Sequence, residues 1–333
     1  MIFSGSENLV TMQAAESTAA GAIMSRPEIG VYLPQMGFTF DDLMYRARRC
    51  DELEIDSLWL YDHLYGPGMP DYPSMEAWTL ATALLTRTER LRIGHMVLCN
   101  QFRHPVTLAK MATTLDQISG GRLSLGIGSG SIEDEHRRAG LPWGTFAQRS
   151  EQLGETLQIL HQAFVDERID FAGKHFTVTD MPVKPGPVQQ PGPPIVVGGV
   201  GEKYTLPLVA RFADVWNVPT YALAQIEAKI GVLRSICEDI GRDPTDIVLS
   251  IEAVMALAPD DSSLEKVRSL AEKRFGAEGF GLHDTNLIGT PSFVVDRLGA
   301  LVEMGFGQIV LFTHDRCSDQ TLELLANKVI PQL

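Results

Sequence analysis

The sequence has few cysteines and no long apolar run, and each of these absences excludes a class of protein. Among 333 residues there are only four cysteines, Cys50, Cys99, Cys237 and Cys317, and they are far apart. Their spacing matches no metal site, so we expect buried reduced thiols and no bound metal. No apolar run is long enough to cross a bilayer, so we expect no membrane partner.

Basic residues are also scarce relative to acidic ones. The chain has 28 Lys and Arg against 42 Asp and Glu, which gives a formal net charge of −14. A nucleic-acid groove needs clustered Lys and Arg, so this balance argues against a nucleic-acid partner and favours a cytoplasmic protein. The hydrophobic fraction of 44% is that of an ordinary globular protein with a large core.

The first 27 residues differ in composition from the rest. They are rich in Ser, Ala and Thr, and they contain Glu7 and Glu16. They lack the basic start and the continuous apolar core of a signal peptide. We therefore expect residues 1–27 to form a mobile N-terminal extension and residues 28–333 to form a single domain.

From residue 28 onward, segments typical of strands and of helices alternate along the chain. About eight of each are predicted, and alternation implies parallel strands joined by right-handed crossovers. One unit repeated over about 300 residues, without a division into halves, favours an α/β fold of the (β/α)8 or TIM-barrel type over an open sheet. Insertion loops are expected at about 64–74, 166–194 and 276–289. The second contains six prolines, and one short hairpin is expected around 171–178.

In such a barrel, catalytic groups follow the carboxyl ends of the strands. Asp62 and His63 end the second predicted strand, and a histidine there can exchange a proton near neutral pH. The alternative is a histidine that only makes a structural hydrogen bond at a strand end. Four other histidines are expected to be structural or on the surface: His95, His104, His136 and His161. For His314, which follows the last predicted strand, a place at the mouth and a structural role both stay open.

Two glycine clusters lie between a predicted strand and a predicted helix. The first is Gly126-Ile127-Gly128-Ser129-Gly130-Ser131 and the second is Gly198-Gly199-Val200-Gly201. Glycines at a helix N-terminus bring bare backbone N–H groups close to a ligand, which suits a phosphate. The spacing does not match the dinucleotide fingerprint. The two clusters therefore predict a phosphate-bearing cofactor of another kind, with plain tight turns as the alternative.

These stretches resemble the luciferase-like superfamily of flavin- and deazaflavin-dependent oxidoreductases, whose members are (β/α)8 barrels with insertions. The resemblance covers the chain in order from about residue 28 to its end. Within the superfamily the chain is most similar to the branch that uses coenzyme F420. The segments that carry the resemblance are residues 57–63, 105–121, 122–140, 197–217 and 287–291.

The resemblance assigns roles to residues of this chain. It implies that His63 stands beside the reactive carbon of the deazaflavin as proton donor or acceptor. It also implies a non-prolyl cis peptide at Met96–Val97 behind the ring, and phosphate contacts to the N–H groups of residues 199–202. The full cofactor-contacting set implied is Asp62, His63, Met96, Val97, Cys99, Ser129, Gly130, Asp134, Gly198, Gly199, Val200, Gly201 and Glu202.

The chain departs from the sugar-phosphate dehydrogenases of that branch at two places. Ser131 stands where they have a catalytic glutamate, and residues 218–221 offer no Lys or Arg for a substrate phosphate. A small apolar or aromatic organic substrate is therefore expected. The residues expected at the mouth point the same way: Tyr32, Met36, Tyr65, Met69, Tyr72 and Phe102.

The predicted function is transfer of a hydride between C5 of F420 and this small-molecule substrate. The alternative within enzymes is an FMNH2-dependent luciferase-like monooxygenase, which would bind FMN. The alternative of another class is a barrel that binds a flavin without catalysis. The resemblance to this family also implies a homodimer.

Overall fold

The computed structural model describes residues 26–277 and 280–333. The strands are β1 Glu28–Tyr32, β2 Ser57–Leu60, β3 Arg92–His95, β4 Leu98–Cys99, β5 Leu123–Gly128, β6 Arg168–Ala172, β7 Thr177–Pro182, β8 Ile195–Gly198, β9 Val215–Val218, β10 Val248–Leu257, β11 Leu287–Gly289 and β12 Phe306–Thr313. The α-helices are α1 Phe40–Glu52, α2 Ala77–Leu85, α3 Pro105–Ser119, α4 Glu133–Ala139, α5 Phe146–Val165, α6 Thr205–Phe212, α7 Ile226–Ile240, α8 Asp261–Phe275, α9 Leu282–Thr285, α10 Pro291–Glu303 and α11 Asp319–Leu324.

Eight parallel strands close into a barrel. Their order is β1, β2, β3, β5, β8, β9, β10 and β12, and β12 pairs with β1 to complete the ring. The short strands β4 and β11 extend the sheet beside β5 and β10. The predicted (β/α)8 barrel is confirmed, and the carboxyl ends of all eight strands meet at one face.

Local sequence signals place the helices that surround this barrel. Thr39 caps α1 and exchanges hydrogen bonds with Asp42 in a capping box. Pro105 begins α3, and Gly120 ends it with a φ of 64°, which a glycine adopts without strain. Leu43 and Ala47 of α1 are fully buried against the barrel, as their spacing predicted.

Side chains fill the interior of the barrel below its mouth. An apolar cluster inside it contains Trp59, Met96, Val196, Val215 and Val310. A polar layer lies beside this cluster, in which Asn217 Nδ2 donates to Ser250 Oγ at 3.3 Å and Ser250 Oγ donates to Gln308 Oε1 at 2.8 Å. Because the interior is packed, a ligand can enter only at the mouth.

The segments outside the barrel differ in detail from expectation. The hairpin of β6 and β7 is longer than the predicted one, and the segment 276–289 contains α9 and β11. Arg26 pairs with Asp56 at 2.7 Å, so residue 26 of the expected extension is tied to the barrel. Residues 1–25 of that extension lie outside the described residues.

The described part of the chain contains neither a helix suited to a membrane nor a cluster of metal-binding side chains. Over residues 26–277 and 280–333, no helix has the length and apolar character that crossing a bilayer requires. The same residues contain no cluster of three or more His, Cys, Asp or Glu able to hold a metal ion.

Candidate functional site

A cavity of about 600 Å³ opens at the carboxyl ends of β2, β4, β5 and β8. It brings together most of the predicted cofactor-contacting residues. Those in its wall are Asp62, His63, Met96, Val97, Cys99, Ser129, Gly130, Gly198, Gly199, Val200 and Gly201. A cavity of this size suits an organic cofactor rather than a single ion.

Asp134 and Glu202 are the two predicted contacts outside this wall. Asp134 accepts hydrogen bonds from Tyr65 at 2.7 Å and Arg138 at 2.6 Å on the outer face of α4. Glu202 forms an ion pair with Lys229 at 2.7 Å. Both carboxylates are thus held by neighbouring side chains, and the structure does not direct either of them into the cavity.

His63 forms a pair with a buried glutamate. Its Nδ1 lies 3.0 Å from Oε2 of Glu135, whose side chain is only 2% exposed. The other carboxylate oxygen of Glu135 accepts the backbone N–H of Leu64. Because Nδ1 is engaged with Glu135, Nε2 is the ring nitrogen available to a molecule in the cavity. The pair can therefore exchange a proton at a defined atom.

Sequence reasoning missed Glu135 and misjudged its neighbour. The acidic residues at the start of α4 suggested only a favourable interaction with the helix dipole, and His136 was expected on the surface. That expectation is wrong, because α4 lies against the rim of the cavity and His136 is 1% exposed. Its Nδ1 lies 2.9 Å from the carbonyl oxygen of Ile132, and its Nε2 lies 3.6 Å from Cys99 Sγ. A helix of seven residues is too short for periodicity to reveal its inward face.

Asp62 supports the cavity wall through contacts within the protein. Its carboxylate accepts two hydrogen bonds from the Arg103 guanidinium, at 2.7 and 2.9 Å, and one from the backbone N–H of Cys99 at 2.8 Å. Such a bidentate pair has a fixed geometry. Asp62 therefore ties the end of β2 to the segment that follows β4.

The segment between β3 and β4 has the expected backbone. The peptide bond between Met96 and Val97 is cis, and both residues lie in the cavity wall. Farther along the segment, burial raises the pKa of the Cys99 thiol to about 12. Cys99 consequently stays protonated at neutral pH, which excludes it as a thiolate nucleophile.

The second glycine cluster forms a turn directly before α6. Gly199 has a φ of 109°, a conformation that other residues rarely adopt. Its N–H donates to the carbonyl oxygen of Asn217 at 3.0 Å, which corrects the expectation that this N–H faces a phosphate. The pairing of β8 with β9 extends as far as Gly199 and occupies its N–H group. The N–H groups of Val200, Gly201 and Glu202 have no acceptor among the described residues.

This turn and the first glycine cluster have little room for side chains. A Cβ atom added to Gly201 would lie 3.1 Å from Thr205 Oγ1, and one added to Gly128 would lie 2.8 Å from Val97 Cγ2. Gly130 has a positive φ of 79°, and its Cβ would lie 2.8 Å from Gln101 Oε1. Free N–H groups beside a bare backbone suit an anionic group such as a phosphate. The residues present therefore fit a phosphate-bearing cofactor.

Comparison with known proteins gives one matching family profile and several similar sequences. The profile of the luciferase-like monooxygenases matches residues 20–280. An F420-dependent glucose-6-phosphate dehydrogenase of Microbacterium testaceum is 28% identical over 310 residues, which are 85% of this chain and 90% of that protein. An FMNH(2)-dependent dimethylsulfone monooxygenase of Pseudomonas putida is 25% identical over 287 residues, covering 77% of this chain and 78% of that protein.

A solved structure has the same fold. It is an F420-dependent secondary alcohol dehydrogenase in complex with an F420-acetone adduct, with a TM-score of 0.76 and 18% identity. The match covers 92% of this chain and 99% of that one. With the barrel and the profile match over most of the sequence, the chain belongs to the luciferase-like monooxygenase family.

Proposed function

We propose that this protein is an F420-dependent oxidoreductase that moves a hydride between C5 of the deazaflavin and a small, mainly apolar or aromatic organic substrate. The observation that carries the proposal is that the His63–Glu135 pair and a glycine turn with free N–H groups line the same cavity. The F420-dependent relative that covers most of the chain supports the choice of cofactor.

The residues that would hold the cofactor come from the two glycine clusters and the segment after β3. The N–H groups of Val200, Gly201 and Glu202 would receive a phosphate, and Val97 and the bare backbone of Gly128 would flank the ring. When bound, F420 supplies a hydride at its carbon C5. It activates oxygen poorly because it has this carbon at the position where flavins have a nitrogen. In an acidic protein, backbone dipoles rather than Lys and Arg would supply most of the positive field.

His63 would hold or release the proton that accompanies hydride transfer. Glu135 accepts Nδ1–H, fixes the orientation of the imidazole ring and keeps Nε2 as the exchanging atom. The pair therefore serves either direction of transfer.

A binding titration tests the cofactor. We expect F420 to bind with a dissociation constant of about 1 μM or below and FMN to bind at least about 100-fold more weakly, since the two differ in ring and tail. Absorbance and fluorescence titrations with both compounds give the comparison. Tight FMN binding with weak F420 binding would instead favour a monooxygenase, and cofactor binding without turnover of any screened substrate would favour a non-catalytic barrel.

Glu135→Gln should separate orientation of His63 from cofactor binding. The new amide can keep the Leu64 N–H contact only by turning its NH2 toward Nδ1, which moves the imidazole proton to Nε2. We expect kcat to fall by about 10- to 50-fold and the F420 dissociation constant to change by less than about threefold. The ¹⁵N shifts of the His63 ring should report the exchanged tautomer.

Glu133→Gln provides the matched control, since Glu133 lies on the same helix with an exposed side chain. It should leave both kcat and the ring shifts unchanged. If Glu135→Gln turns over at the wild-type rate with the wild-type tautomer, the pair has no part in the chemistry.

A further inference from the structure

Strand β10 carries a glutamate on the inner face of the barrel. Ser250 and Val254 share that face. Ser250 belongs to the polar layer inside the barrel, where it contacts Asn217 and Gln308 on the two neighbouring strands, and Val254 is in register with Phe312. Side chains alternate along a strand, so Glu252 points inward between them. Its partner in the register is Val310, a member of the interior cluster.

Open space reaches this glutamate from the mouth. Every other residue from 250 to 257 is buried, whereas Glu252 is partly exposed. Tyr32, Val97 and Phe312 are also partly exposed. Each of them has buried residues beside it in the sequence. We call Tyr32, Val97, Glu252 and Phe312 the mouth floor. Val97 also lines the cavity of the His63 site. Val97 and Tyr32 both pack against the apolar cluster inside the barrel.

The mouth floor combines two aromatic rings with one carboxyl group. The rings of Tyr32 and Phe312 meet edge to face, with their centroids 5.0 Å apart. Within residues 26–277 and 280–333 the Glu252 carboxyl has no ion pair or hydrogen bond that could satisfy it. Because the side chain is partly exposed and its carboxyl has no protein partner among these residues, the carboxyl is free to form a hydrogen bond with a bound molecule.

The Glu252 carboxyl can act as a hydrogen-bond donor when it is protonated and as an acceptor when it is ionised. Burial raises its pKa to about 7, and no positively charged group contributes to the shift. The pKa of the Tyr32 hydroxyl is raised well above its usual value, mainly by burial and in part by Glu252. Near neutral pH the Glu252 carboxyl can therefore donate to a carbonyl oxygen or accept from a hydroxyl.

We propose that Glu252 binds one uncharged hydroxyl or carbonyl group of the substrate, whose apolar part packs against Tyr32 and Phe312. This inference rests on the proposed function and narrows its substrate class to neutral compounds that carry an oxygen. A phosphate or carboxylate would meet a carboxyl group with no cation paired to it. The nearby Arg274 instead donates to the carbonyl oxygens of Thr313 and His314, at 3.1 and 2.9 Å.

Three aromatic probes of similar size test the assignment: benzyl alcohol, ethylbenzene and benzoate. Their dissociation constants are measured by ligand-observed NMR on the protein as purified. The wild-type protein should prefer benzyl alcohol over ethylbenzene and over benzoate by at least about fivefold. Glu252→Leu should raise the dissociation constant of benzyl alcohol by at least about fivefold and lower that of ethylbenzene. Glu252→Gln should keep the dissociation constant of benzyl alcohol within about threefold of the wild-type value.

Glu252→Gln also keeps the test valid if the leucine variant fails to fold. Because this variant lacks the negative charge, its dissociation constant for benzoate should be at least about fivefold lower than that of the wild-type protein at pH 8.5, where most of the wild-type Glu252 is ionised. The control is Glu227→Leu, which removes an exposed glutamate on α7. It should bind all three probes as the wild-type protein does.

Two results would overturn the inference. One is equal preference among the probes in the wild-type protein and both Glu252 variants, and the other is no binding of any probe at millimolar concentration. F420 titrations on the same samples keep this failure apart from failure of the proposed function. Normal F420 binding with unselective probes removes the subsite alone, whereas selective probes without F420 binding remove the cofactor assignment alone.

Discussion

His63→Ala is expected to lower kcat by about 10²- to 10⁴-fold and to leave the dissociation constant of F420 within about threefold of the wild-type value. In the proposed mechanism the imidazole would supply the proton at Nε2, whereas the glycine turn and the β3–β4 segment would supply most of the contacts to the cofactor. The measurement combines F420 titration with the rate of absorbance change for a substrate found by screening alcohols and carbonyl compounds.

The control for this prediction is His161→Ala, because His161 is exposed on α5. It should leave both quantities unchanged. A His63→Ala variant that turns over at the wild-type rate would remove His63 from the mechanism. A variant with normal turnover only at saturating F420 would instead assign His63 to cofactor binding.

Gly199→Val should weaken F420 binding by at least about 30-fold. Valine is strained at a φ of 109°, and its Cβ would lie 3.4 Å from Thr205 Cγ2, so the turn must move. Movement of the turn displaces the free N–H groups of the next residues from the position where a phosphate would sit. Isothermal titration with F420 measures the loss, and circular dichroism checks that the barrel remains folded.

Gly241→Val separates this effect from backbone strain in general. Gly241 ends α7 with a φ of 71°, and its added Cβ would have no atom within 4 Å. This variant should lose a comparable amount of stability and bind F420 normally. If Gly199→Val also binds F420 normally, the phosphate lies elsewhere, and the loops after the last two barrel strands become the next site to test.

Sequence patterns were sufficient for the barrel and for many residues of the cavity wall. Alternating strands and helices leave few topologies, and glycines before a helix reveal a turn wherever they occur. The position of the cis peptide at Met96–Val97 came from the family resemblance, and the structure has it there. These features depend on residues that are adjacent in the chain.

Features that depend on distant contacts were not predicted. Glu135 and His63 are 72 residues apart, and only the packing of α4 against the end of β2 brings them together. The hydrogen bond that occupies the Gly199 N–H depends on how far the β8–β9 pairing extends. Side chains along β10 alternate between two faces, and a charged residue such as Glu252 is normally assigned to the face in solvent. The inner face of a barrel gives the same alternation, so the sequence pattern does not distinguish the two positions.

The strand order divides the mouth into two arcs. The cavity beside His63 is built at the ends of β2, β4, β5 and β8, whereas Tyr32, Glu252 and Phe312 of the mouth floor come from β1, β10 and β12 on the other side. Mutations can therefore accumulate in one arc while the other stays intact. If substrate and cofactor occupy these two arcs as proposed, a lineage with this architecture can change the compounds it accepts through β1, β10 and β12 and inherit its cofactor site without alteration.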